Sequence, residues 1–104
     1  MKLEEYKKLQ NKSGGKKEKE ITAEIRQYLQ VKKIFHWKVW QGLGSVAGVP
    51  DIIGVLEGGK ALFIEVKTEK GKVSDKQASF LENVQRLGAI AFVARNLNDV
   101  SSRL

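Results

Sequence analysis

The sequence predicts an α/β fold, with a mixed central sheet flanked by helices in the order helix, three strands, helix, strand. Three observations lead there. Two segments carry an apolar stripe at helical spacing, one from about residue 17 to residue 31 and one from Ser74 to Leu87. Between them lie three β-branched or aromatic runs separated by glycine-rich punctuation. A short apolar run, AIAFVA at 89–94, follows the second helical stripe. The 104 residues suffice for one compact domain with one modest core.

Each element has a local reason. Residues 1–16 are lysine-rich and broken by Ser13-Gly14-Gly15; they are read as a basic N-terminal arm, mobile or in contact with a second subunit. Its LEEYKKLQ stretch is too short to hold a helix without a partner surface. Residues 17–104 are expected to form the folded domain. Ile21, Ile25, Tyr28 and Leu29 share one stripe of the first helix. FHWKVW, 35–40, is aromatic and β-branched, hence a strand, with Phe35, Trp37 and Val39 expected in the core and His36, Lys38 and Trp40 on the opposite face. QGLGSVAGVP is a loop whose end Pro50 keeps extended. Asp51–Leu56 and Ala61–Lys67 form a hairpin around Glu57-Gly58-Gly59-Lys60. Thr68–Val73 is a charged loop, Ser74 opens the second helix, and Gly88 follows its end. Asn96–Leu104 is expected to close with a last helical turn or two.

Composition narrows the chemistry. Nineteen basic residues against twelve acidic ones leave a net charge of +7. That balance favours polyanions, because each phosphate neutralised by Lys or Arg releases condensed counterions; many proteins are equally basic and bind no nucleic acid. No cysteine is present, so disulfides and thiolate metal sites are excluded. No apolar run approaches the roughly 20 residues needed to span a bilayer, and the first residues lack the apolar stretch of a secretory signal. A cytoplasmic protein with no membrane partner is expected. The loop Gln41–Val49 is not followed by Gly-Lys-Ser/Thr, so no nucleotide cofactor is expected.

Asp51, Glu65 and Lys67 carry the functional reading. Strand alternation puts Glu65 and Lys67 on one face, while Leu62, Ile64 and Val66 supply a core on the other. Glu-x-Lys alone is also what an exposed salt bridge of little energetic value looks like. Asp51, at the start of the neighbouring strand, makes the difference: two converging carboxylates suit a hard divalent cation, and a lysine beside them can offset charge on a phosphate. The register is demanding. A symmetric two-residue turn at Gly58-Gly59 would face Ile52, not Asp51, with Glu65, so the chemistry requires an odd-length or bulged connection.

Val49-Pro50-Asp51, thirteen intervening residues, then Glu65-Val66-Lys67 resembles the signature of the PD-(D/E)xK nuclease superfamily. The run from the first helix to AFVARNLNDV resembles the stand-alone VRR-NUC domain within it, a group similar to archaeal Holliday junction resolvases. The resemblance covers roughly residues 18 to 100. It implies a PD-(D/E)xK nuclease-like core and a Mg²⁺- or Mn²⁺-dependent endonuclease acting on DNA, often branched DNA. Asp51 and Glu65 would bind metal, with the Val66 backbone carbonyl as a further ligand, and Lys67 would be the catalytic lysine. The resemblance also implies an acidic residue on the first helix. Of Glu18, Glu20 and Glu24, Glu18 lies nearest the apolar stripe and is chosen; all three also suit the helix dipole as plain surface residues. A glutamine near the site is implied as well. Gln77 fits that role, and it fits a capping box with Ser74 equally well.

Lys38 and Trp40 are expected to contact DNA, Trp40 being equally suited to a subunit interface. Ser45, among small residues that let a phosphate backbone approach, and Lys70 and Lys72 in the charged loop complete the expected DNA contacts. His36 is read as a strand surface residue or phosphate contact, since a lone imidazole makes a poor metal centre. The leading reading is a structure-selective endonuclease, working as a homodimer because cutting both strands of a junction needs two active sites. So small a stand-alone nuclease would suit a phage. The alternatives are a basic nucleic-acid-binding module without catalysis, and a nicking or single-strand nuclease using the same site.

Overall fold

A computed structural model describes residues 15–40 and 46–104. The arm and Ser45 therefore lie outside the described residues, the arm save for its last two positions. The elements are α1 (Glu18–Val31), β1 (Phe35–Lys38), β2 (Ile52–Val55), β3 (Ala61–Val66), α2 (Asp75–Arg86), β4 (Ile90–Ala94) and α3 (Leu97–Ser101). The sheet order is β1-β2-β3-β4, antiparallel through β3 and parallel between β3 and β4. This is the mixed sheet flanked by helices that the sequence predicts.

The two faces of the sheet are built differently. On one, Ile52, Leu62, Ile64, Val66, Phe92 and Ala94 pack against Ile21, Ile25 and Leu29 of α1 and Val100 of α3. Ile25, Leu29, Leu62, Ile64 and Val66 are completely buried, so the stripe and the alternation both point where expected. The registers Phe63↔Ala91 and Ile53↔Phe63 put those residues on the other face. There α2 covers β3 and β4, with Phe80 meeting Phe63 edge-on at 5.6 Å between ring centroids. Beyond β3 this second face lies outside that cover.

The strand β1 therefore corrects one expectation. Phe35 is 71% and Trp37 43% exposed, so neither belongs to the core. Alternation was read correctly, but β1 is an edge strand and no helix among the described residues covers that side of it. His36, expected at the surface, is half-buried toward the α1 face, and its Nδ1 hydrogen-bonds the Ile34 carbonyl at 2.9 Å.

The hairpin register decides the site. Ile52 pairs with Ile64 and Val55 with Ala61. The connection closes with the Leu56 N–H donating to the Lys60 carbonyl, and Gly58 and Gly59 both take positive φ, 88° and 86°. Three residues, Glu57 to Gly59, turn the chain, an odd number that side chains would strain. Continued by one residue, that register sets Asp51 beside Glu65.

Candidate active site

Pro50 ends the β2–β3 ladder. In the observed register it would face Val66, and it has no N–H to offer. The Val66 N–H instead donates to Asp51 Oδ2 at 2.8 Å, which fixes the carboxylate at the mouth of the hairpin. Because the N–H and C=O of one strand residue point to the same side, the Val66 carbonyl also faces the Asp51 side of β3.

Glu65 is 2% exposed. Its Oε1 accepts a hydrogen bond from Gln77 Nε2 at 2.9 Å and has Lys67 Nζ at 3.8 Å. Its Oε2, equally buried, has no hydrogen-bond partner among the described residues. The carboxyl is pushed up to about 8 from the ordinary 4.5, first by burial and next by the Asp51 charge, with Lys67 opposing the shift. Hydrogen bonding to Asp51 in the protonated form and the Glu18 charge add smaller increments. A buried carboxylate oxygen without a donor is costly, and a strongly shifted group beside specific charge partners makes this a candidate functional site.

Gln77 makes the capping box with Ser74 and also contacts Glu65. Its N–H donates to Ser74 Oγ at 3.1 Å and its Oε1 accepts from the Ser74 N–H at 2.9 Å, completing a capping box. The amide nitrogen left over is the one that reaches Glu65. The Ser74 cap thus sets the orientation of the donor on the candidate carboxylate. Gly48 seats the preceding loop against the same helix: its φ is +78°, and a Cβ there would lie 2.3 Å from the Lys76 carbonyl oxygen.

Two oxygens of Asp51 and Glu65 and the Val66 carbonyl form a donor set suited to a hard divalent cation, and the unpartnered Glu65 Oε2 is what such an ion would take up. No three carboxylate or imidazole side chains converge among the described residues. Glu18 accordingly stands off the cluster at the exposed first turn of α1, although its charge is felt at Glu65. Glu24 pairs with Lys16 instead, and Glu20 is exposed. Lys38, Val39 and Trp40 line a recess of about 260 Å³ with Asp51, so two of the expected DNA contacts adjoin the site. Lys70 and Lys72 are exposed on the loop after Lys67. A cavity of about 680 Å³ lies elsewhere, beside Ile21, Arg95 and Asp99, and Asp51, Glu65, Lys67 and Gln77 do not line it.

Sequence reasoning missed two residues that hold the site in place. Gly48 is one, hidden among several loop glycines. Arg95 is the other: its guanidinium donates to the carbonyls of Thr68, Glu69 and Gly71 at 2.7, 3.1 and 2.7 Å. It thereby clamps the loop that follows Lys67. A charged residue directly after the apolar AIAFVA run was the available signal.

A mixed sheet whose hairpin brings Asp51 beside Glu65, with Lys67 on the same face, defines the class as a nuclease core of the PD-(D/E)xK type. The VRR-NUC domain model matches residues 2–96, and the chain belongs to that family. The family is one of nucleases, with DNA as the implied substrate. No curated protein and no solved structure matches the chain. No helix among the described residues is long and apolar enough to cross a membrane.

Proposed function

We propose that the protein is a metal-dependent DNA endonuclease, selective for Holliday junctions or other branched DNA, that hydrolyses phosphodiesters at Asp51, Glu65 and Lys67. The observation that carries this reading is the buried Glu65 carboxylate beside Asp51, with the Gln77 hydrogen bond and the Lys67 ammonium at one oxygen and no hydrogen-bond partner at the other. Asp51, Glu65 and the Val66 carbonyl would hold Mg²⁺ or Mn²⁺, and Glu18, which stands off them at the start of α1, would be the ligand from the helix. Such an ion supplies Lewis-acid stabilisation of charge on the phosphate and lowers the pKa of water beside it.

The chain's own groups do the rest. Gln77 holds Glu65 in one orientation through its hydrogen bond. Lys67 offsets negative charge as it develops on the scissile phosphate. Water adds its oxygen to phosphorus, the bond to the 3′-oxygen breaks, and a proton passes to that oxygen, leaving 5′-phosphate and 3′-hydroxyl ends. Lys38, Trp40, Ser45, Lys70 and Lys72 position the DNA. Symmetric cutting of a junction calls for a homodimer.

The test is a panel of labelled four-way junctions, flaps, nicked and plain duplexes and single strands, incubated with Mg²⁺ or Mn²⁺. Cleavage is expected, with branched DNA preferred. Asp51→Asn and Lys67→Ala should each lower it at least about 100-fold while leaving DNA affinity largely intact. Binding without cleavage in any metal would leave a basic binding module instead.

A further inference from the structure

The sheet face that carries Asp51, Glu65 and Lys67 continues past the cover of α2. Crossing from β2 to β1, Ile53 pairs with Trp37 and Val55 with Phe35, and these residues share the face of the carboxylates. Phe35, Trp37 and Val55 are 71%, 43% and 42% exposed. The two rings meet edge-on, 5.8 Å between centroids, so they brace each other while leaving open area. The next row of the sheet links this shelf to the site, because the Val39 N–H donates to the Asp51 carbonyl at 2.7 Å. Trp37 is thus one strand across and two residues along from Asp51, roughly 8 Å away by strand spacing and rise. At about 3.4 Å per stacked base that is a distance of two or three nucleotides.

An exposed aromatic pair beside a candidate phosphodiesterase site needs an occupant. A net charge of +7 favours a polyanion. Bases within a duplex are stacked on one another and present no free ring face to a flat shelf, whereas an unpaired base does. We propose that Trp37, braced by Phe35, is a stacking platform for an unpaired nucleobase two or three nucleotides from the scissile phosphate. This rests on the nuclease reading above and adds to it the feature recognised: unpaired nucleotides at a branch or end, not the duplex arms. Trp37 is a binding residue here, with no part in the chemical step.

The full chain is titrated in EDTA with oligothymidylate and with a blunt hairpin duplex carrying the same number of phosphates. Oligothymidylate should quench tryptophan emission. Trp37→Ala should weaken its binding by about 5- to 100-fold, the range expected from losing one base–aromatic stack, and change duplex affinity less than twofold. Trp37→Phe should recover most of the loss and shows that the position tolerates change without unfolding. Unchanged oligothymidylate affinity in Trp37→Ala, or equal losses on both probes, would overturn the platform. So would a drop in molar mass with affinity intact, which assigns the shelf to a subunit contact. Because these titrations contain no divalent ion, they are independent of the cleavage panel. A chain that cuts DNA with Trp37→Ala indistinguishable from wild type refutes only the platform, and one that stacks bases but never cuts refutes only the nuclease.

Discussion

Glu65 is held in a state that costs the metal-free protein stability. Burial and the neighbouring Asp51 raise its folded pKa to about 8, so the folded protein binds a proton that the unfolded chain releases near 4.5. The favourable contribution is fully present below about 4.5, declines as pH rises through the interval, and is gone above about 8. Thermal melts in EDTA should therefore show stability falling between pH 5 and pH 8.5, with Glu65→Gln flattening the trend. Added Mg²⁺ or Mn²⁺ should raise the melting temperature most at the alkaline end, where the ion no longer competes with a proton. A flat profile, or equal metal stabilisation at both ends, would count against the donor set proposed. Gln77 allows its two roles to be separated. Gln77→Ala removes the side-chain half of the capping box and the Glu65 contact, leaves the Ser74 Oγ cap in place, and should cost about 1 kcal/mol or more. Gln77→Glu preserves a capping-box acceptor but sets a carboxylate against Glu65. It should hurt cleavage far more than stability, measured as rate against melting temperature.

Element-scale packing brings the groups together. The three-residue turn sets the hairpin register, Pro50 ends its ladder, and Gly48 lets the intervening loop lie against the first turn of α2. Gly48→Ala puts a methyl into the Lys76 carbonyl at a φ unfavourable to side chains. A loss of about 1–3 kcal/mol in chemical denaturation is expected, with cleavage reduced beyond what the unfolded fraction explains. Arg95 does the comparable work on the far side of Lys67. Arg95→Ala leaves the Thr68, Glu69 and Gly71 carbonyls without their shared donor. Amide exchange should quicken across residues 68–72 while β3 stays protected; uniform quickening would mean the clamp stabilises the whole fold.

For the molecule as a whole, charge and sheet cover govern how DNA is met. With a net charge of +7, DNA affinity should fall at least about 10-fold between 50 and 200 mM NaCl, as expected if two or more phosphates are neutralised. An affinity independent of salt would remove the electrostatic part of the proposal. Among the described residues the second face of the sheet is asymmetric, closed by α2 over β3 and β4 and open beyond, and the candidate site sits at that boundary. A strand of DNA reaching Glu65 has an apolar shelf on one side and the capped end of α2 on the other.

The amino-acid sequence by itself determined the element order, the core face of β3, the apolar stripe of α1 and the pairing of Glu65 with Lys67. These follow from periodicities of 2 and 3.6 residues, which are local. It also stated the condition for Asp51, an odd-length turn, because register is arithmetic once two strands are joined. Which turn formed was left to the glycines' conformational freedom and the packing around them. Only the tertiary structure decided that Phe35 and Trp37 are exposed, since alternation reports that residues share a face and cannot report whether another element covers it. It likewise decided that one glutamine serves cap and carboxylate together, and that Arg95 reaches back across 24 to 27 residues to hold the loop behind Lys67. Contacts of that span depend on chain segments brought together by the core, and no window of sequence contains them.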